Sequence, residues 1–550
     1  MARPELVTPN GASMGTRAVR TGRHAGREGR ITGDPPLPPP SDPLASGVIE
    51  GMLVGVLAWA VLSLTLLPAL DATASSLFPV LLVSLCASGT VGPGLQAALR
   101  QRHQRRLPAG AAPLGRRRVV IVGGGFGGVS VARRLEQLLP RMPGLDVTLV
   151  SRSNYLLFTP MLMEVAAGTV GSGHVSVPLR AACPRTRFRQ AEVDSIDPAA
   201  RLVHVRGVGG ALESLPYDHL VLALGAVPNV CDLPGVADNA LTLKTLEDAR
   251  RLRDHVIGRL EQADLEADPR ERRRWLTFVV AGGGFAGTEA VAGVFDLVHS
   301  VLSYFPNVRR AEPRFVLVHS RERILPELGG RLARYAHRRL QDRGIQLRLG
   351  VTVVGASQRE VRLSDGEVLP ARTLIWAAGT RPSPLLGALP LARQAGAVLV
   401  DPTLRVRGSS DMWALGDCAR VPDVERGGAP QPPTAQHAER QGKAVAENLV
   451  AAMTGKAPEV FRYRGLGFLV PLGHQSAAAE VRGMRFSGLP AWLLWRAVYL
   501  WKLPGLEKRL RVLLDWTIEL FFPRDIALTA GERRGGPDPS ARRRARQPAA

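Results

Sequence analysis

Gly123, Gly125 and Gly128 follow directly on Val119-Val120-Ile121-Val122, and Gly282, Gly284 and Gly287 follow in the same way on Thr277-Phe278-Val279-Val280-Ala281. Each set reads as a buried parallel strand, a tight turn and a helix start, with Phe126 and Phe285 placed at the helix entry. That order suits a pyrophosphate. The first glycine permits the turn, the second lets the backbone approach the phosphates, and the third lets helix and strand pack closely. The helix N-terminus then offers free N–H groups and the positive end of its dipole. One such turn can be purely structural. Two in one chain, each in its setting, point to two dinucleotides, one flavin and one nicotinamide.

Where each following strand ends, an acid usually grips the ribose hydroxyls. Here Asp146-Val147-Thr148-Leu149-Val150 ends in Ser151-Arg152, and Phe315-Val316-Leu317-Val318 ends in His319-Ser320-Arg321. Ser151 can still hydrogen-bond a ribose. At the second position the missing acid, with Arg321 and Arg323 beside it, would suit a 2′-phosphate, so NADPH stands beside NADH as the donor. Glu289 lies two residues past Gly287, on what reads as the first turn of the helix, where a carboxylate can simply answer the dipole.

The stretch Asn154-Tyr155-Leu156-Leu157-Phe158-Thr159-Pro160-Met161-Leu162-Met163-Glu164-Val165-Ala166-Ala167-Gly168 completes the pattern. With the two glycine turns it resembles the type II NADH dehydrogenases, single-chain membrane-associated flavoproteins that pass electrons from NADH through FAD to quinone. The family's acidic-Arg-x-Asn-x-x-Leu-Phe-x-Pro-Leu-Leu is met from Arg152 onward, with Ser151 in place of the acid. The resemblance runs roughly from Arg116 to Pro523. It implies an α/β fold of two Rossmann-like dinucleotide-binding domains, the FAD domain interrupted by the NAD(P)H domain.

The resemblance also implies roles for particular residues. Thr159 and Pro160 would lie along the flavin. Ala223 and Gly225 would end the strand leaving the FAD domain, and Ala378 and Gly379 the strand returning from the NAD(P)H domain. Asp417, in Gly416-Asp417, would hydrogen-bond the ribityl and phosphate region. Glu289 would lie near the nicotinamide and flavin rings, and Ala435 and Gln436 at a helix start beside flavin and quinone. Arg440 replaces the family's second glutamine, and Gln441 lies one step round the helix. His437, about 100° from Gln436, reads as a surface or core histidine. The implied reaction is hydride transfer from NADH to FAD and then two electrons to a quinone, without proton pumping. The alternatives are an NADPH-preferring quinone reductase, a sulfide:quinone oxidoreductase, and a non-catalytic membrane flavoprotein or redox sensor.

Composition narrows the classes. The chain has 550 residues, 71 Lys+Arg against 48 Asp+Glu, and a net charge of +23. No helix-turn-helix, zinc-finger or aromatic RNA-binding signature accompanies the excess, so nucleic acid is excluded as a partner and an anionic membrane face fits better. Cys86, Cys183, Cys231 and Cys418 form no close pair, which argues against a disulfide framework and a dithiol redox centre. Cys183 and Cys231 are the pair a sulfide-oxidising enzyme would have to use.

Residues 1–44 read as a disordered basic arm and 530–550 as a disordered basic tail. Gly51 to Leu70 and Leu77 to Leu99 are uncharged. The first matches the ~20 residues that cross a ~30 Å hydrocarbon core. Arginines on both flanks and none in the loop predict a transmembrane helical hairpin over 45–100, with both ends and the catalytic domains on the cytoplasmic face. The competing reading is a secretory signal with a cleavage site at Ala72-Thr73-Ala74. The domains follow as 116–250 (FAD, first part), 275–385 (NAD(P)H), 400–480 (FAD, second part) and 489–523 (membrane-associated helices). In the last, Leu510, Leu513, Leu514, Thr517 and Phe521 share a helical face, with Trp492, Trp495, Trp501, Trp516 and Arg496 nearby. Such amphipathic helices would seat on membrane lipid, where a quinone can reach the flavin, or join two copies as a homodimer.

Overall fold

The computed structural model describes residues 117–230 and 233–528. The expected basic arm, transmembrane hairpin and basic tail, and Cys231, lie outside these residues. The first glycine turn joins β1 (Arg117–Val122) to α1 (Phe126–Leu138), followed by β2 (Leu145–Ser151) and the short helix α2 (Leu162–Ala166). Then come β3 (Arg187–Asp197), β4 (Leu202–Gly207), β5 (Leu212–Pro216) and β6 (His219–Leu222). After β7 (Ala240–Thr242), helix α3 (Leu246–Leu265) starts at a capping box in which Thr245 and Asp248 bond each other's backbone N–H.

The second glycine turn joins β8 (Thr277–Ala281) to α4 (Phe285–Val301), followed by β9 (Arg314–His319), β10 (Gln346–Leu349) and β11 (Thr373–Trp376). The chain then re-enters the first sheet through β12 (Met412–Ala414) and runs down α5 (Ala435–Met453). A meander of β13 (Gly467–Pro471), β14 (Ala477–Val481) and β15 (Met484–Gly488) leads to α6 (Leu489–Lys502) and α7 (Leu506–Ile518).

Two sheets carry the nucleotide turns. The first has the order β12-β6-β1-β2-β3-β4-β5, and the second β7-β11-β8-β9-β10, parallel throughout. Strands β8 and β11 are buried end to end and β1 from Val119 onward, as strands covered on both faces must be. Strand β3 is long enough to pair parallel with β2 at one end and antiparallel with β4 at the other. Strand β7 joins the second sheet ahead of the expected boundary at 275, because three residues are too few to show a period.

The glycines fix how closely helix and strand meet. A Cβ on Gly128 would stand 1.9 Å from the Gly123 carbonyl oxygen, and one on Gly287 1.7 Å from that of Gly282. Gly442, on α5, also packs closely on α1, where a Cβ would stand 2.6 Å from the Gly127 oxygen. These neighbours are backbone and cannot rotate away. Among the described residues one helix, Phe285–Tyr304, is long and apolar enough to cross a membrane. Its residues Val291, Val294, Leu297 and Val298 are fully buried in the protein, so it is a core helix. Gly128→Ala is expected to destabilise the protein by about 1–3 kcal/mol through forced overpacking. A thermal melt within a degree of the parent would show that helix and strand can separate there at no cost.

Candidate active site

The first glycine turn opens onto a cleft of about 760 Å³, within the ~300–1,000 Å³ of small-molecule sites. Its lining brings together most residues expected at a flavin: Gly123, Gly125 and Phe126; Ser151, Arg152 and Thr159; Ala223 and Gly225; Gly416, Asp417 and Ala435. A side chain on Gly125 or Gly225 would project into open space, so the backbone there is bare to the cleft. Helix α1 has no side-chain N-cap and no acid in its first turn, leaving its N–H groups for an anion. This is a groove whose donor set fits a dinucleotide pyrophosphate.

Two residues that sequence reasoning missed complete it. Glu192, from β3, lines the cleft beside Ser151 and pairs with Arg152 at 4.0 Å, so a carboxylate stands near the position the strand end leaves without one. Lys244 lines it too and lies 3.8 Å from Asp417. No local pattern marks Glu192. Lys244 has only the signal of preceding a capping box.

Three expected residues stand elsewhere. Gly128 serves the close packing of α1 on β1, and Pro160 lines a different cavity, with Glu289. Gln436 does not line the cleft. Its amide donates to the Gly467 oxygen at 3.3 Å and accepts from the Tyr463 hydroxyl at 3.2 Å. The glutamine that touches the cleft wall is Gln441, whose Oε1 accepts from the Gly416 N–H at 2.8 Å. His437 is a core histidine: 6 % exposed, bonded to the Thr434 hydroxyl at 2.7 Å, its ring against Tyr463.

The second turn repeats the geometry. Gly284 and Gly379 face open space, and Gly282 stands so close to Ala377 that a Cβ would meet its oxygen at 2.4 Å. At the end of β9, His319 accepts the Gly283 N–H at 3.1 Å through Nδ1, while its Nε2 is buried without a partner. Burial and the neighbouring Arg321 guanidinium hold its pKa below the usual histidine range. Arg321 is exposed beside it.

Comparison with known proteins follows the same plan. Residues 117–442 match the family model for pyridine nucleotide-disulphide oxidoreductases, and 466–525 that for the NDH2 C-terminal domain. A type II NADH:quinone oxidoreductase of Mycobacterium tuberculosis is 32% identical over 437 residues, covering 76% of this chain and 91% of the relative. This chain belongs to the type II NADH:quinone oxidoreductase family. A demethylphylloquinone reductase of Synechocystis is 32% identical over 412 residues, covering 73% of this chain and 96% of that one. The fold agrees with that of NDH2 from Plasmodium falciparum in complex with NADH, at a TM-score of 0.68 and 19% identity, over 75% of this chain and all of that one.

Glu289 falls on the second turn of α4, past the reach of the dipole, since the first turn holds no acid. Its carboxyl opens on a cavity of about 40 Å³ shared with Glu164, Pro160, Trp495 and Arg496. Burial, with the Glu164 carboxyl adding to it, pushes Glu289 up to about 8. Phe158 bridges the first turn and the C-terminal helices, meeting Phe126 at 6.0 Å and Tyr499 at 6.1 Å. Of the thiols among the described residues, Cys183 and Cys418 are buried in the core of the first sheet, and burial pushes them up to about 12 and about 11.

On helices α6 and α7 three of the four tryptophans expected beside the membrane face turn inward. Trp492, Trp495 and Trp516 are buried, as is most of Arg496, which stacks on Trp492 and Trp516 at 3.9 and 4.6 Å. Trp501 alone of the four tryptophans is exposed. The face of Leu510, Leu514, Ile518 and Phe521 is exposed with it.

A carboxyl with a raised folded-state pKa loses stability relative to the unfolded chain as pH climbs from the ordinary carboxylate range to the folded value. The Glu289 contribution is therefore present at about pH 4.5 and gone above about pH 8. Glu289→Gln is expected to lose less thermal stability than the parent between those values; parallel melting curves for the two would show that Glu289 ionises normally.

Proposed function

We propose that this chain takes hydride from NADH onto FAD and hands two electrons to a quinone at a membrane surface. The observation that carries the reading is the pair of bare glycine turns within one compact body, with Glu289 and Phe158 between them and an exposed apolar helix face on the same body. FAD, when bound, supplies the hydride and electron chemistry. The protein's part is to hold and orient. The N–H groups of α1 would hold the pyrophosphate, Ser151 and Glu192 the ribose, and Asp417, steadied by Lys244, the ribityl chain. Thr159 and Ala435 would flank the ring, and Gly282, Gly284, Gly287, Phe285, Ala378 and Gly379 would shape the nicotinamide side. Glu289 would serve near both rings as the group able to exchange a proton at neutral pH.

Leu510, Leu514, Ile518 and Phe521 sink into the lipid headgroup layer, aided by the net charge of +23 on an anionic face. The hairpin over 45–100 would add a second attachment and keep the catalytic body on the cytoplasmic side. Purified protein should carry a flavin spectrum that NADH bleaches and a soluble quinone restores; a flavin that NADH leaves oxidised defeats the proposal. Replacing Leu514 and Phe521 together by Glu should cut binding to anionic vesicles about tenfold or more, since each apolar side chain contributes about 1.5–3 kcal/mol. If vesicle binding holds while the protein changes from dimer to monomer, that face joins two copies instead.

The absence of an acid at the end of β9, with Arg321 exposed there, favours a second reading in which NADPH is also accepted. Arg321→Glu should shift preference towards NADH by about tenfold, the worth of one exchanged charge contact at ~1.4 kcal/mol; unchanged affinity for both coenzymes would remove residues 319–323 from coenzyme choice.

A further inference from the structure

Reducing a quinone with a reduced nicotinamide consumes one proton beyond the hydride. That proton comes from water, and Glu289 sits inside the protein. The cavity it opens on has room for a few waters, at ~10–15 Å³ for each, and its lining includes the exposed residue His474. Glu164 stands on the same cavity. It is the one acidic residue of the 154–168 segment, and it sits on α2, which packs against α4.

Glu164 is held in place. Trp516 Nε1–H donates to its Oε2 at 3.1 Å. Behind it, Arg496 bonds Glu519 at 3.2 Å, Arg524 bonds Glu519 at 2.6 Å, and the Thr169 hydroxyl donates to Glu519 at 3.4 Å. From α4, Asp296 faces the same cavity, paired with Arg343 and accepting the His474 N–H at 2.9 Å. Tyr499, from α6, faces Glu289, and burial keeps its hydroxyl protonated. Both cavity arginines hydrogen-bond Glu519, while the Glu164 carboxyl takes its hydrogen bond from the Trp516 indole and feels the Arg496 and Arg524 charges from nearby.

We propose that Glu164 and the cavity it shares with Glu289 form the route by which a proton from solvent reaches Glu289, with Glu164 as the intermediate carrier. This rests on the function proposed above and names a residue acting through Glu289. In the cycle Glu289 releases its proton toward the reduced acceptor and becomes a carboxylate. Glu164 passes its own proton to Glu289 through the cavity, and then takes one from water entering past His474. Both carboxyls end as they began, and the net change is one proton drawn from solvent per quinone reduced. Arg496 and Arg524 stabilise the carboxylate in transit. Burial raises Glu164 as it raises Glu289, which favours the protonated carboxyl at both positions.

Glu164→Gln keeps the volume and the acceptor for Trp516 but cannot carry a proton. In stopped flow, its flavin should still be reduced by NADH within about twofold of the parent rate, while reoxidation by a short-chain soluble quinone slows about tenfold or more. The alkaline limb of that step should move to lower pH, and Glu164→Asp should restore most of the rate. Independently of turnover, infrared titration of the resting protein should show the Glu289 carboxyl ionising at lower pH once the Glu164 charge is gone. Reoxidation at the parent rate overturns the relay. So does slow reoxidation that Asp does not rescue with the Glu289 titration unmoved, which is the signature of a purely structural Glu164. If NADH does not reduce even the parent's flavin, the proposed function has failed instead, and the infrared arm still reports whether the two carboxyls interact.

Discussion

Everything in the nucleotide-binding body depends on a backbone carbonyl standing where a side chain would have to begin. The Gly123 oxygen occupies the space of a residue 128 side chain, and the Gly282 oxygen that of residue 287. Only that proximity lets α1 and α4 start directly above their strands, with N–H groups and dipole aimed out of the sheet edge. From it follow the bare turn at Gly125, the cleft beneath, and the need for α5 to press Gly442 onto α1 and so close the cleft from its other side. The constraint is steric and local, and for that reason it is repeated almost residue for residue in the second domain.

A second constraint is electrostatic and belongs to the ground between the domains. Taking Arg496, Arg524, Glu519 and Glu164 out of water is costly unless each finds a partner. Glu519 answers both arginines, the indoles of Trp492 and Trp516 cover the Arg496 guanidinium, and Trp516 reaches Glu164. The C-terminal helices are therefore held by charge-assisted bonds on their inner side, while their outer side presents aliphatic and aromatic groups. The same α7 turn that shows Leu514 and Ile518 to the outside sends Trp516 inward.

How much of this the sequence carried depends on the range of the interaction. The glycine turns, the strands before them and the helices after them are written in contiguous residues, and the structure has them where the pattern requires. The segment from Asn154 to Gly168 was legible as a motif, but not the environment of Glu164, which is built by residues some 350 positions away. Glu192 and Lys244 reach the cleft through sheet pairing and chain crossing that no local period records. Gln436 turns to the Gly467 carbonyl because β13 offers an acceptor there, a contact invisible from the helix alone. The tryptophans misled for a related reason: α6 and α7 are apolar on more than one side, so periodicity could not say which side the protein keeps.

The chain crosses between the two dinucleotide-binding regions twice, and the crossings are bonded to each other: Ala226–Pro228 pairs antiparallel with Thr380–Pro382, the Asn229 N–H donates to the Gly379 oxygen, and the Trp376 indole donates to the Asn229 oxygen. Entry and exit thus share one two-stranded neck. An inserted region with its ends side by side is a cassette: it can be exchanged for another of the same neck spacing, and its angle to the host can be set by the twist of a single ribbon.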